Sequence, residues 1–407
     1  MITCRGCGKN SCSTFLNLGM TPIANNLINQ ENIHKPEIFY PLHSTVCNDC
    51  SLVQLPELVQ RELLFSADYV YYSSYSSSWL AHSKKYAHEM VKKLSLEQND
   101  LVIEVASNDG YLLQYFGELG IKVLGIEPAT EVASVAIKKD IETICEFFGE
   151  ALAIKLASIR KPKLIIANNV LAHVPDLHDF IKGFSILIAD DGLITFEFPH
   201  LLNLVKNNQF DTIYHEHYSY LSITALVPIF KKYNLQIIDV EKIDTHGGSL
   251  RIFVEKSNNL RIANKSVSEI ILQEMHFDPR NHDVLLNLQK KVMQVKINLL
   301  SELIECKKNG LRVIAYGAAA KGNTLLNYSK IDSDLIECVV DLNPNKQDKF
   351  TPGSRIPILG ESILKNNPPD IVLILPWNIS TEVTAQLSYL RKSGTKFFRA
   401  IPNIEYI

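Results

Sequence analysis

An α/β protein with a parallel, doubly wound sheet at its centre is what this sequence predicts, and three observations predict it. Strand-like and helix-like segments alternate from Leu101 to His200, two Cys-x-x-Cys pairs precede them, and a second strand-turn-helix series follows a break near residue 280. At 407 residues the chain exceeds one ordinary core. We expect a zinc-binding lobe over 1–70, a Rossmann-like core over 71–280 and a second Rossmann-like lobe over 281–407.

Composition narrows the class. Hydrophobic residues make up 46% and charged ones 21%, as in globular proteins, and a formal net charge of -3 offers no basic field for nucleic acid or a membrane surface. No run of about eighteen apolar residues suggests a membrane span. The start, MITCRGCGKNSC, places cysteines where a signal peptide has an apolar stretch, so a cytoplasmic protein is expected.

In the first lobe, Cys4-x-x-Cys7 and Cys47-x-x-Cys50 each put two thiols on one tight turn. Two such turns facing each other make a closed tetrahedral zinc site, structural because it has no open coordination position. Unpaired structural cysteines are the alternative. Cys12 is the odd one out, and no βαβ pattern flanks either pair to suggest redox work.

From Ser76, Trp79, His82 or Ser83, Tyr86 and Met90 recur at helical spacing. LVIEVASNDG then reads as a buried strand and turn, YLLQYFGELG as a helix ended by Gly120, and IKVLGIEP, KLIIANNVL and GLITFEFPH as further strands. After the break, Leu288, Val292, Val295, Leu299 and Leu303 stripe one long helix. LRVIAYGAAAKG, IECVVDLNP and DIVLILPWN open the last lobe.

The turn EVASNDG departs from the glycine-rich dinucleotide pattern, because Ala106, Asn108 and Gly110 stand where three glycines would. Two close-packed phosphates need bare backbone, whereas a cofactor without phosphate tolerates side chains, and S-adenosylmethionine is such a cofactor. Glu104 and Asp109 suit its positive methionine end, though either alone equally suits a helix cap. Glu127 ends the second strand, where an acid takes a ribose diol, and Asn168 and Asn169 end a later strand at the same sheet edge.

Together, EVASNDGYLL, NNVLAHVPDL, QFDTIYHEHYSYLS and THGGSLRIF resemble the signature blocks of the sugar C-methyltransferases that build branched deoxysugars. The cysteine pairs with LGMTPIANNL resemble that family's zinc domain, and AYGAAAKGNTLLNY with VVDLNPNKQ its carboxy-terminal domain. The resemblance spans nearly the whole chain and implies a class I methyltransferase core. It implies enolate formation on a thymidine-diphospho-4-keto-6-deoxysugar and methylation at carbon 3 from S-adenosylmethionine. His217 falls where the family's general base sits, and a largely neutral imidazole suits proton abstraction. Tyr214 and Glu216 would orient sugar or base, and His173 would donate to the keto oxygen. Tyr69, Tyr71, Ser73 and Ser74 match a stretch that borders substrate in the family, or else cap the helix that follows. His246-Gly247-Gly248 suits a tight turn against the site. Lys321 and the amides of its turn suit the substrate's diphosphate, the alternative being a relic dinucleotide fold that only packs, with Asp341 its unused ribose acid. The partner implied is a nucleotide-diphospho-sugar and the chain a monomer; an O- or N-methyltransferase on a nucleotide sugar is the competing reading, and a nicotinamide oxidoreductase a remoter one.

Overall fold

Short strands carry the amino-terminal lobe: β1 (Cys12–Thr21), β2 (Ile28–Asn29), β3 (Tyr40–Cys47) and β4 (Val53–Gln54). The computed structural model describes residues 2–60, 64, 72–259 and 261–407, so the expectations for Tyr69 and Tyr71 lie outside the described residues. β1 and β4 flank β3 antiparallel, and both cysteine pairs sit on turns beside this sheet. The Gly8 amide donates to the Cys4 carbonyl at 2.8 Å with Gly8 at φ 74°, and the Ser51 amide to Cys47 at 3.0 Å.

The middle lobe begins with helix α1 (Ser77–Leu94), whose N-cap Ser76 accepts from the Trp79 amide. The expected stripe is real: Ser83, Tyr86 and Met90 are buried. Next come β5 (Leu101–Val105), β6 (Lys122–Ile126), β7 (Thr143–Ile144), β8 (Leu164–Asn168), β9 (Leu193–Pro199), β10 (Ser219–Tyr220), β11 (Leu235–Ile243) and β12 (Ser249–Lys256). Seven form one sheet in the order β11-β12-β9-β8-β5-β6-β7, parallel except for β12. β5 and β8 are buried on both faces because helices cover both sides. The chain winds outward from β5 through β6 to β7, then returns to β8 on the other side. That reversal opens a crevice at the carboxyl ends of β5 and β8. β10 leaves this sheet and pairs with β4, Ser219 opposite Gln54, so the amino-terminal sheet is completed by the middle lobe.

The last lobe follows helix α2 (His282–Lys308), whose stripe Leu288, Val292, Val295, Leu299 and Leu303 is buried as expected. β13 (Val313–Tyr316), β14 (Val339–Val340), β15 (Lys349–Phe350), β16 (Ile358–Leu359), β17 (Ile371–Ile374), β18 (Lys396–Arg399) and β19 (Glu405–Tyr406) follow. Six make a second sheet, β16-β14-β13-β17-β18-β19, parallel but for β19. Helix α3 (Ala320–Ser329) leaves β13 through the Gly317 turn. The lobes are interlocked: β15 pairs with β2, and the α2 stripe shares one apolar cluster with Phe15 and Leu16 of β1 and Phe210. Among the described residues no helix is long and apolar enough to cross a membrane.

Candidate active site

The four cysteine sulfurs of the two pairs lie within 4.8 Å of one another, with Cys4–Cys50 and Cys7–Cys47 each at 3.5 Å. A zinc ion with Zn–S bonds of about 2.3 Å needs sulfurs about 3.8 Å apart, so the cluster fits that ion. Cys12 stays outside it. Arg5, between the first pair, donates to the Pro175 carbonyl at 2.9 Å, and the His178 ring donates to the Gly6 carbonyl at 3.0 Å. These bonds seat the cluster on the middle lobe.

At the crevice, the turn after β5 carries left-handed backbone at Ala106 (φ 58°) and Asn108 (φ 50°), neither of them glycine, and at Gly110 (φ 76°). Such backbone is costly at an alanine and persists where surroundings enforce it. Here the Ala106 amide donates to Ile126 at 2.7 Å and the Asn108 amide to a Glu127 oxygen at 3.0 Å, while Ala129 holds the other Glu127 oxygen at 2.9 Å. Burial raises the Glu127 carboxyl to about 7. Asn168 and Asn169 end β8 beside it, each with a buried side-chain oxygen that lacks a hydrogen-bond partner. Orphaned acceptors facing a crevice mark where a polar ligand completes the structure.

Three expected cofactor contacts change here. Glu104 and Asp109 do not reach the crevice wall, nor does Gly110. Glu104 is buried beneath the sheet edge, and burial holds its carboxyl well above the usual range. Asp109 turns away to the Ser74 hydroxyl and Lys139, and Gly110 is required because a Cβ would overlap Ile141. Ser73 lines the cavity and its amide donates to the Asn108 side chain at 2.8 Å, while Ser74 lies off the wall with its hydroxyl on Asp109, so this pair also braces the cofactor turn.

Across the crevice the 3-10 turn Phe210–Thr212 leads into Tyr214-His215-Glu216-His217. His217 Nδ1 lies 2.8 Å from the Thr212 carbonyl, which can only accept, so that nitrogen carries the proton. Nε2 therefore has the lone pair and receives the Tyr214 hydroxyl at 2.8 Å. Burial, with His173 nearby, holds the His217 pKa well below its ordinary value, so the ring is neutral. The His173 ring centroid is 4.6 Å away, and its Nδ1 donates to the Glu216 carbonyl at 2.9 Å. Burial lowers His173 to about 4. A neutral ring with its proton on Nδ1 has no proton on Nε2, so the donor role expected of His173 does not fit its tautomer. His215 points elsewhere, to the Pro41 carbonyl at 3.2 Å. Glu216, raised to about 7 by burial, accepts from Asn25 at 2.6 Å and keeps one orphan oxygen. His246 sits in the expected turn, with Gly247 and Gly248 at φ 89° and 108°, and meets the Asn169 amide at 3.2 Å.

The last lobe brings Lys321 from the start of α3. Its ammonium lies 2.6 Å from Asn378 Oδ1 and 4.8 Å from the Trp377 ring centroid. Asp341 does not wait for a ribose: its oxygens accept the Ala318 and Asn343 amides, each at 2.8 Å. One cavity of about 1160 Å³ joins Ala106, Glu127 and Asn168 to His173, Tyr214, His217 and His246 and to Lys321. It also exposes Asn25, Trp79, His82 and Asn378, which sequence reasoning missed. Trp79 and His82 lie on the helical stripe that was read as core, and nothing in PIANNL singles out Asn25.

The strand order, the turn after β5 and the acid ending β6 define a class I, S-adenosylmethionine-dependent methyltransferase. Within that class the chain belongs to the C-methyltransferase family. It is 33% identical to the C-methyltransferase NovU of Streptomyces niveus over 403 residues, covering 98% of this chain and 95% of that protein. Family models match residues 4–65 ("Putative zinc binding domain"), 79–240 ("Methyltransferase domain") and 244–402 ("C-methyltransferase C-terminal domain"). Among solved structures, the magnesium protoporphyrin IX methyltransferase of Synechocystis PCC 6803 with bound SAM is 15% identical, covering 44% of this chain and 81% of its own at TM-score 0.33. A SAM-dependent methyltransferase from Clostridium acetobutylicum ATCC 824 is 15% identical, covering 44% and 91% at TM-score 0.35.

Proposed function

We propose that this C-methyltransferase acts at carbon 3 of a thymidine-diphospho-4-keto-6-deoxysugar, with His217 as the general base. The observation that carries the reading is the neutral His217, its basic Nε2 engaged by Tyr214, in the same cavity as Asn108, Glu127 and Asn168. That cavity exceeds what one small ligand fills, as two ligands side by side require.

The β5–β8 crevice would hold the donor, with Glu127 accepting from its ribose hydroxyls and the orphan oxygens of Asn168 and Asn169 accepting further hydrogen bonds. When bound, S-adenosylmethionine supplies an electrophilic methyl group for a carbon nucleophile. His217 makes that nucleophile: the carbon–hydrogen bond beside the ketone breaks, its electron pair stays as the enolate, and the proton goes to Nε2. It travels directly, or through Tyr214, whose hydroxyl gives its own proton to Nε2 and takes the carbon's. The Thr212 carbonyl holds the ring through Nδ1 and stabilises the imidazolium that forms. Glu216 lies beside the base, its orphan oxygen suited to a sugar hydroxyl and its own position fixed by Asn25. Zinc at the four cysteines holds structure only.

The test is incubation with methyl-labelled S-adenosylmethionine and the ketosugar nucleotide, followed by location of the label. Label on carbon 3 is expected. Label on oxygen or nitrogen would support the heteroatom reading instead and sink this one.

A further inference from the structure

An enolate formed in a closed pocket needs positive charge or a hydrogen-bond donor at the ketone oxygen. The histidines around the base supply no positive charge. His173 and His217 each commit Nδ1–H to a backbone carbonyl, and His246, whose Nε2 meets the Asn169 amide, keeps only a neutral Nδ1–H. Burial keeps all three neutral near pH 7.

We infer that the Lys321 ammonium, read from sequence as a diphosphate ligand, instead holds the substrate's keto oxygen while the neighbouring carbon loses its proton. The assignment rests on the ketosugar reading above and adds the electrophile that reading lacks.

Three geometric facts place it there. First, α3 packs directly behind the loop that carries the base: Thr324 donates to the Ile213 carbonyl at 3.3 Å, and Asn323 to the Ala24 carbonyl at 2.7 Å. Second, the Trp377 ring under Lys321 is tied to both histidine-bearing loops. Its indole N–H donates to Asp211 at 2.8 Å, one residue before the Thr212 carbonyl that holds His217. Gly247, next to His246, lies so close over the ring that a Cβ would overlap it. Lys321 thus stands on a floor whose edges carry His217 and His246. Third, Asn378 engages one ammonium proton and leaves two for a ligand. At the turn before α3 the Asp341 carboxylate already takes the Ala318 amide, and Lys346, 3.7 Å from that carboxylate, also lines the cavity, so a phosphate at this turn has a cation other than Lys321.

The charge is felt where the reaction occurs: Lys321 contributes to the low pKa of both His217 and His246, and although burial lowers its own pKa, Asp211 opposes that loss of charge. The ammonium therefore adds to burial and His173 in keeping the base unprotonated at rest, and neutralises the enolate once it forms.

The test uses the full-length zinc-loaded protein and a thymidine-diphospho-4-ketosugar in deuterium oxide without S-adenosylmethionine, reading exchange at carbon 3. In Lys321→Met, exchange and methylation should both fall about 10²–10³-fold, with thymidine diphosphate affinity essentially retained. Lys321→Arg should recover part of both. The acid limb of kcat/KM should move up in Lys321→Met, which removes a cation from among the groups around His217 and leaves His173, His246, Glu216, Tyr214 and Tyr220. If Lys321→Met does not fold, Asn378→Ala keeps the ammonium but frees it, and exchange should fall about tenfold. Weakened diphosphate binding with exchange unchanged at saturating substrate would return Lys321 to the phosphates and overturn the inference. Absence of exchange in the unaltered protein would instead sink the carbon-acid reading and the lysine's role together.

Discussion

At the scale of single residues, the Tyr214–His217 pair fixes what pH should do. His217 must be neutral to accept a proton, and its folded pKa lies well below the ordinary imidazole value. The acid limb of kcat/KM should therefore fall below about 6.5, where a solvent-exposed histidine base would place it. A limb at or above that value would remove His217 from its role. His217→Ala should reduce turnover by about 10² or more while S-adenosylmethionine binding persists, as calorimetry can check. Glu216 gives a stability test with a definite sign. Its folded pKa of about 7 exceeds its ordinary value, so its contribution to stability is full below about 4.5 and is lost as pH rises through about 7. Glu216→Gln should accordingly raise the ligand-free stability at pH 8 by on the order of 1–3 kcal/mol, and the gap should close near pH 4.5. Thermal melts at the two values decide it. The Tyr-His-Glu-His block stands out in the sequence through the family resemblance, and the fold brings Tyr214, Glu216 and His217 into one cavity. Asn25 was not legible, since it meets Glu216 across 191 residues of chain and no local pattern encodes that contact. Nor could the sequence disclose a tautomer: His173 loses its donor role to one backbone carbonyl.

Among the elements, the turns do the positioning. Strands β5, β6, β8 and β9 were readable as apolar runs closed by polar residues, because a parallel sheet covered on both faces tolerates little else. β12 and β10 were not: antiparallel insertion and desertion to another sheet depend on distant edges. The cofactor turn shows the same limit, for Ala106 is held in left-handed backbone by β6, outside its own segment. The Thr245–Gly247 turn offers the sharpest test of element-scale positioning. Gly247 has φ 89°, a Cβ there would overlap Trp377, and its carbonyl accepts from Gln209 at 2.7 Å. Gly247→Ala should cost about 1–3 kcal/mol of stability and reduce turnover about tenfold or more by displacing His246 and the Trp377 floor. Unchanged kinetics in a protein with an unchanged melt would show that this turn does not set the geometry of the site.

Over the whole molecule, the zinc cluster and the chemistry are coupled although no cysteine of the cluster lines the cavity. Zinc joins the turn before β1 to the turn after β3, and the sheet so fixed receives β10 immediately after the Tyr-His-Glu-His block. The same lobe sends Asn25 to Glu216, and β2 to β15 of the last lobe. His217, Glu216 and the lysine-bearing lobe are thus all registered against one metal-stapled sheet, whereas the crevice rests on β5, β6 and β8 and on the Ser73–Ser74 brace. Removal of the metal should separate the two halves of the site. Chelation, or Cys47→Ser with Cys50→Ser, should lower the melting temperature and reduce methylation and carbon-3 exchange by about tenfold or more, with S-adenosylmethionine affinity much less affected. Calorimetry on zinc-free protein held below its melting temperature separates these effects. Full turnover in that protein would mean that the lobes keep their register without the staple, and that the sheet pairing between β4 and β10 suffices to hold the base over the donor.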